Sequence, residues 1–240
     1  MEIDKEKIKQ SLSRFKEYCN TCAISRKTIK IDINDAIEIV NEIGRGFTSD
    51  FVIDDTNRFV YENLIKWVNG DESMYSISPD SKEIIKGRIN SGLFIAGPTG
   101  TGKTMCIDVI KVYAKVIGAR IHFKPEEESR KLSWNNVLAH NIAKAYQNTG
   151  DVSEYEKQRI LCIQDFGCEN EKSMYMGNAK NVLRELIENR SEEYGKILLA
   201  TSNLPLMHEQ TRAIYGDRVI SRLCHMCNYF ELKGNDRRLK

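Results

Sequence analysis

The octapeptide GPTGTGKT, Gly97 to Thr104, matches the pattern G-x-x-x-x-G-K-[ST], and no other stretch restricts the fold of this chain as strongly. The pattern functions in one setting, between the end of a buried strand and the first turn of a helix. There Gly97, Gly100 and Gly102 let the backbone wrap closely around an oxyanion, while the helix adds its positive N-terminal end. The flanking sequence supplies that setting. GLFIAG reads as a short buried strand, and Ile107, Ile110, Ala114 and Ile117 then fall on one helical face. Lys103 is placed to reach the β- and γ-phosphates of ATP and the Thr104 hydroxyl to ligate Mg²⁺, with Pro98, Thr99, Thr101 and Met105 completing the loop and the first helical turn. A flexible glycine loop without a ligand leaves Lys103-Thr104 at the helix start unexplained.

From about residue 90 onward, short apolar runs alternate with longer helical periods. GLFIAG, ARIHF, RILCIQD, KILLATSN and NYFELKG read as strands, and the intervals carry helical stripes such as Leu138, Ile142, Ala145 and Val182, Leu183, Leu186, Ile187. Strands alternating with helices mean crossover units, so an α/β fold with a mostly parallel five-stranded sheet between helices is expected. The first eighty residues differ in texture. Ile8, Leu12, Phe15, then Ile33, Ile37, Val40, then Val60, Leu64, Trp67 mark three helices. GRGFTSD and NGDESMYSISPDS read as loops, which divides the chain into a helical unit over 1–80 and a larger domain over 81–240.

The run RILCIQDFG stops at Gln164-Asp165. In a phosphate-loop protein a second buried strand brings an acid to the metal, and in hydrolysing classes the next residue is a second acid that polarises the attacking water. The register of the apolar run puts Gln164 at the first position and Asp165 at the second. Gln164 can accept a hydrogen bond from a metal-bound water but brings no charge to offset the metal.

The composition excludes several classes. No run of about 18 uncharged apolar residues exists, and the charged start MEIDKEKIKQ precedes no apolar run, so neither a membrane span nor a signal peptide is expected and the cytoplasm is the expected compartment. Cys19/Cys22 and Cys224/Cys227 form two CxxC pairs that could make a four-thiolate zinc site; an odd total of seven cysteines reads more simply as reduced thiols. Charge is uneven. Residues 1–30 carry eight Lys/Arg against four Asp/Glu, whereas residues 31–80 carry three against eleven, so any DNA contact should avoid the latter face.

Taken in order, Gly97–Thr104, QDFG, NVLRELIENR, ATSNL, YGDRVISRL and the closing GNDRR resemble the AAA+ family of DnaC-type replicative helicase loaders and the related IstB-type ATP-binding proteins of transposons. The resemblance covers about residues 90–240. It implies that Lys103 and Thr104 bind phosphate and Mg²⁺, that Gln164 and Asp165 stand at the metal-side and water-polarising positions, and that Asn203 senses the γ-phosphate. It further implies that Arg222 is an arginine finger presented to a neighbouring subunit, with Arg218 as its companion, and that Arg238 matches the terminal arginine of the closing motif.

The function implied is that of an ATPase that self-associates, hydrolyses slowly because of Gln164, grips single-stranded DNA and holds a replicative helicase with its N-terminal helices. An IstB-type ATPase that engages duplex DNA beside a transposase is the alternative. A small-molecule kinase and a nucleotide switch with little hydrolysis are readings from other classes. Asn203 with Arg222 speaks against the kinase, and Gln164 keeps the switch open.

Overall fold

The computed structural model describes residues 5–21, 24–124, 126–168, 173–175 and 178–238. Cys22 and the side chain of Cys19 lie outside them, and with them the zinc reading. Cys227 is buried in the core and Cys224 half-buried. Among the described residues no helix is long and apolar enough to cross a membrane.

The elements run α1 (Lys5–Thr21), β1 (Ile24–Arg26), α2 (Ile33–Phe47), α3 (Arg58–Asn69), β2 (Tyr75–Ile77), β3 (Ile84–Lys86), β4 (Gly92–Ala96) and α4 (Lys103–Val116). They continue with β5 (Arg120–Phe123), β6 (Arg130–Lys131), β7 (Asn135–Leu138), α5 (Ala139–Thr149), α6 (Ser153–Lys157), β8 (Ile160–Phe166), β9 (Ser173–Tyr175) and β10 (Asn178–Lys180). The last are α7 (Val182–Glu192), β11 (Ile197–Ser202), α8 (Glu209–Met226) and β12 (Cys227–Glu231).

The main sheet has the order β3-β2-β12-β4-β11-β8-β7. The five strands from β12 to β7 are parallel, as the alternating sequence predicts, and β2 and β3 extend the sheet in antiparallel sense beyond β12. One strand differs from expectation. ARIHF forms β5 in a separate antiparallel sheet of order β1-β5-β6, and the fifth parallel strand is β7, in NNVL, ending at Leu138 where the sequence suggests a helix. The reason is burial. Ile121 and Phe123 are buried while Arg120 is exposed and His122 half-buried, the alternation of a one-sided antiparallel strand. An edge strand such as β7 buries little on its outer side, so Asn135 and Asn136 fit there without an apolar run.

Helices cover both faces. Ala36 and Val40 of α2, Leu64 and Trp67 of α3 and Ile107 and Ile110 of α4 share one cluster with Ile95 and Leu199 of the sheet. Ile142 of α5, Leu186 of α7 and Val219 of α8 pack with Leu161 and Ile163 on the other face. Asp32 starts α2 by accepting the Asn34 N–H at 2.8 Å, satisfying one free amide of the first turn. Trp67, wholly buried, meets Trp134 edge-on at 6.1 Å and donates its indole N–H to the Ser91 carbonyl at 2.8 Å. Residues 33–69 are thus built into the body that carries the phosphate loop. The stripe on α1 is different: Ile8, Leu12 and Phe15 are 46%, 52% and 62% exposed, so it faces solvent.

Candidate nucleotide site

Strand β4 is buried throughout and lies between β12 and β11, so its C-terminal end opens at the centre of the sheet. Gly97 to Gly102 turn there and α4 begins at Lys103. A side chain at Gly97 would meet the Leu232 carbonyl at 2.4 Å, and Gly100, at φ +79°, would drive one into the Asp236 carboxylate at 1.9 Å. Gly97 is closed to other residues by the Leu232 backbone, and Gly100 by its left-handed φ. The Gly97 N–H donates to Ser202 O at 3.1 Å, and Pro98 O accepts from both Thr101 Oγ1 and Lys103 Nζ at 2.8 Å. Burial holds the Lys103 ammonium below the usual lysine range, Asp165 opposes that effect and Arg238 adds to it. The loop therefore keeps a desolvated cation turned back on its own carbonyl, a group that a phosphate oxygen can take over.

Strand β8 alternates faces along its length. Ile160 and Cys162 belong to the α4 side and Leu161 and Ile163 to the other, which sets Gln164 toward α4. Gln164 is 8% exposed and its amide nitrogen is buried without a partner. Asp165 then breaks the alternation with φ +56°, and the pairing with β11 slips between Ala200 and Ser202. An extra residue in the strand re-aims its side chain, as bulges beside functional sites do. The Asp165 N–H donates to Thr201 Oγ1 at 3.2 Å and Ser202 Oγ to Phe166 O at 2.8 Å, so the ends of β8 and β11 are stitched together. Asn203 follows, its amide 3.6 Å from Cys168 Sγ. On α4, one turn beyond Thr104, Asp108 accepts a 2.6 Å hydrogen bond from Asn136 of β7.

Several of these groups border one cavity of about 860 Å³, within the range of small-molecule sites. Thr99 to Met105 line it, together with Asp165, Asn203, Arg237 and Arg238. Gly97, Pro98 and Gln164 do not border it. A second part of the lining escaped the sequence reading: Thr48, Phe51, Val52 and Asn57 from the α2–α3 connection and Tyr61 of α3 complete the cavity. Nothing in TSDFVIDDTNRF marks a ligand-binding segment, because its contribution depends on how α2 and α3 dock.

Arg218 and Arg222 lie elsewhere. Helix α8 is broken at Gly216, with φ 78° and ψ 158°, and its second part lies against α7. Arg222 donates to the Glu188 carbonyl at 3.0 Å and also bonds Ser191 Oγ and the Glu192 carboxylate, which it holds below the usual carboxylate range. Arg218 is mostly exposed, 4.0 Å from Glu188 and Glu192. Neither borders the cavity of its own chain.

Residues 85–240 match the family profile described as IstB-like ATP binding protein. The chain belongs to the IstB-like ATP-binding family. Several solved structures are similar to it. A candidate primosome component from Streptococcus pyogenes serotype M3 is 16% identical, with a TM-score of 0.52 over 83% of this chain and 98% of that one. A DnaC helicase loader is 15% identical, with a TM-score of 0.47 over 78% and 95%. AMPPCP-bound DnaA from Aquifex aeolicus is 20% identical, with a TM-score of 0.46 over 79% of this chain and 51% of that one. No curated protein matches the chain. The chain is thus an α/β protein whose larger part is an IstB-like ATP-binding domain.

Proposed function

We propose that the protein is an ATP-dependent helicase loader, hydrolysing ATP slowly between neighbouring copies and delivering a replicative helicase to single-stranded DNA in the cytoplasm. The observation that carries the enzymatic part is the meeting of Lys103, Thr104, Asp165 and Asn203 around one cavity, with Arg218 and Arg222 on a separate outer face. Lys103 exchanges Pro98 O for the β- and γ-phosphate oxygens. Asp165 accepts a hydrogen bond from a water whose oxygen attacks the γ-phosphorus as the bond to the β-phosphate oxygen breaks. The Asn203 amide orients that water or the γ-phosphate, and Arg238, beside Lys103, adds charge on the phosphate side. Arg222 of a neighbouring copy, steadied by Arg218, completes the site.

The residues present fit Mg²⁺ arriving with the nucleotide. Thr104 offers a hydroxyl and Asp165 a carboxylate in the cavity lining, and Gln164 Nε2, buried without a partner, can donate to the oxygen of a bound water. The ion supplies neutralisation of phosphate charge. Gln164 leaves its shell one carboxylate short, which supports slow turnover. Gln164→Asp should therefore lower the Mg²⁺ concentration for half-saturation and raise turnover about tenfold. Steady-state kinetics over a Mg²⁺ series decide it, and an unchanged requirement and rate would remove Gln164 from the metal side.

For the partner, the motif order and the candidate primosome component among the similar structures support a helicase, and the outward stripe of α1 supports residues 1–80 as its contact. The family match favours a second reading, an IstB-type partner of a transposase on duplex DNA. Co-migration with the host replicative helicase on a sizing column, with ATP and without, tests the first. No complex in either condition, with tight binding to duplex DNA, would favour the second.

A further inference from the structure

We propose that residues 233–238 form a latch that ties the two ends of the nucleotide cavity together, with Arg237 as the positioning residue that sets the base-side wall. This rests on reading the cavity as an ATP site: with the triphosphate on Gly97–Thr104, the wall built by Thr48–Asn57 is left for the base. The two closing arginines part company. Arg238 faces the phosphate side, close enough to Lys103 to disfavour its charge. Arg237 turns the other way.

Its main-chain N–H donates to Gly100 O of the phosphate loop at 3.0 Å. Its Nη2 donates to both Asp54 oxygens, at 3.0 and 2.9 Å, and to Thr56 Oγ1 at 2.8 Å. One residue thus holds the phosphate loop by its backbone and the α2–α3 connection by its side chain.

Both anchor points are prepared for it. Asp236 accepts the Arg238 N–H at 2.9 Å and its carboxylate lies against Gly100. Asp54 sits at the start of α3, its carbonyl accepting the Arg58 N–H at 2.8 Å and its carboxylate the Thr56 N–H at 3.0 Å. Asn57 closes the turn, accepting the Asp54 N–H at 2.9 Å and donating to Val52 O at 3.2 Å. Asp54 and Asn57 therefore shape the stretch that carries Val52, and Arg237 fixes that stretch relative to Gly100. The pair is part-exposed, so its contribution to overall stability is small. Its effect falls on binding, because a wall held in place loses less freedom when a base docks against it.

The latch predicts a division by ligand. Arg237→Ala should weaken ATP and ADP binding about tenfold while leaving inorganic tripolyphosphate unaffected, because the phosphate contacts belong to Lys103 and the loop amides. Asp54→Asn, which keeps the shape of the turn, should give the same loss, the double variant should be no worse than either alone, and Arg237→Lys should recover part of it. Calorimetry on the full chain, with melting curves to verify folding, measures all of these. Equal loss for tripolyphosphate would make Arg237 a phosphate ligand and overturn the latch, as would additive losses in the double variant. A parent chain that binds ATP no better than its Arg237→Ala variant overturns the latch alone. A parent chain that binds tripolyphosphate but not ATP overturns the nucleotide reading and the latch with it.

Discussion

Arg222→Ala should bind ATP as the parent does and lose hydrolysis by about 10³–10⁵, the contribution of an arginine finger in phosphate-loop enzymes. The guanidinium lies outside its own cavity, against Glu188, Ser191 and Glu192 on the α7–α8 face. For it to act, a second copy has to bring its phosphate loop to that face. Parent hydrolysis should accordingly rise faster than linearly with protein concentration. Mixing Arg222→Ala with Lys103→Ala, each inactive alone, should restore part of the rate, since mixed junctions pair an intact loop with an intact finger. A mixture that co-assembles and stays inactive, or an Arg222→Ala protein with the parent rate, rejects catalysis between copies and favours the nucleotide switch.

The other large effect is on binding. Lys103→Ala removes a cation from the cavity lining, and truncating one partner of a buried charge pair costs about 2–5 kcal/mol, roughly thirty-fold to several-thousand-fold in Kd. The nucleotide-free fold should hardly notice. Burial already holds the Lys103 ammonium below its usual range, so its charge opposes folding instead of supporting it. Melting without nucleotide should stay near the parent value, while the rise in Tm that ATP gives the parent, which follows ligand concentration over Kd, should vanish. Unchanged ATP affinity by calorimetry would remove the nucleotide assignment, and a large drop in Tm without ATP would mean that Lys103 supports the fold itself.

Much of this site is local in origin, and local features can be read from sequence. The phosphate loop needs a particular order of glycines, a lysine and a threonine within eight residues, so GPTGTGKT carries its own geometry wherever a strand and helix flank it. The same holds for the apolar run ending at Gln164-Asp165, whose register puts Gln164 at the first position after the buried run. The bulge that swings Asp165 out of that period is not legible, because it arises from a slip against β11, a strand distant in sequence.

The remaining features depend on which segments meet. ARIHF reads as the fifth strand and the stretch through Leu138 as helix, because an edge strand needs no continuous apolar run to announce it; docking of NNVL against β8 decided otherwise. The apolar stripes of α2 and α3 were plain in the sequence, but not that their buried sides would share a core with α4 and so bring Thr48–Asn57 to the cavity. Nor could the sequence tell Arg237 from Arg238. Adjacent arginines are chemically identical until the chain's path past Gly100 sends one toward Asp54 and the other toward Lys103. The phosphate cradle and the class of fold follow from residue order alone, because they rest on short-range backbone constraints and on the period of the apolar residues. The second wall and the separate roles of the closing arginines come from packing, because they rest on contacts between segments far apart in the chain.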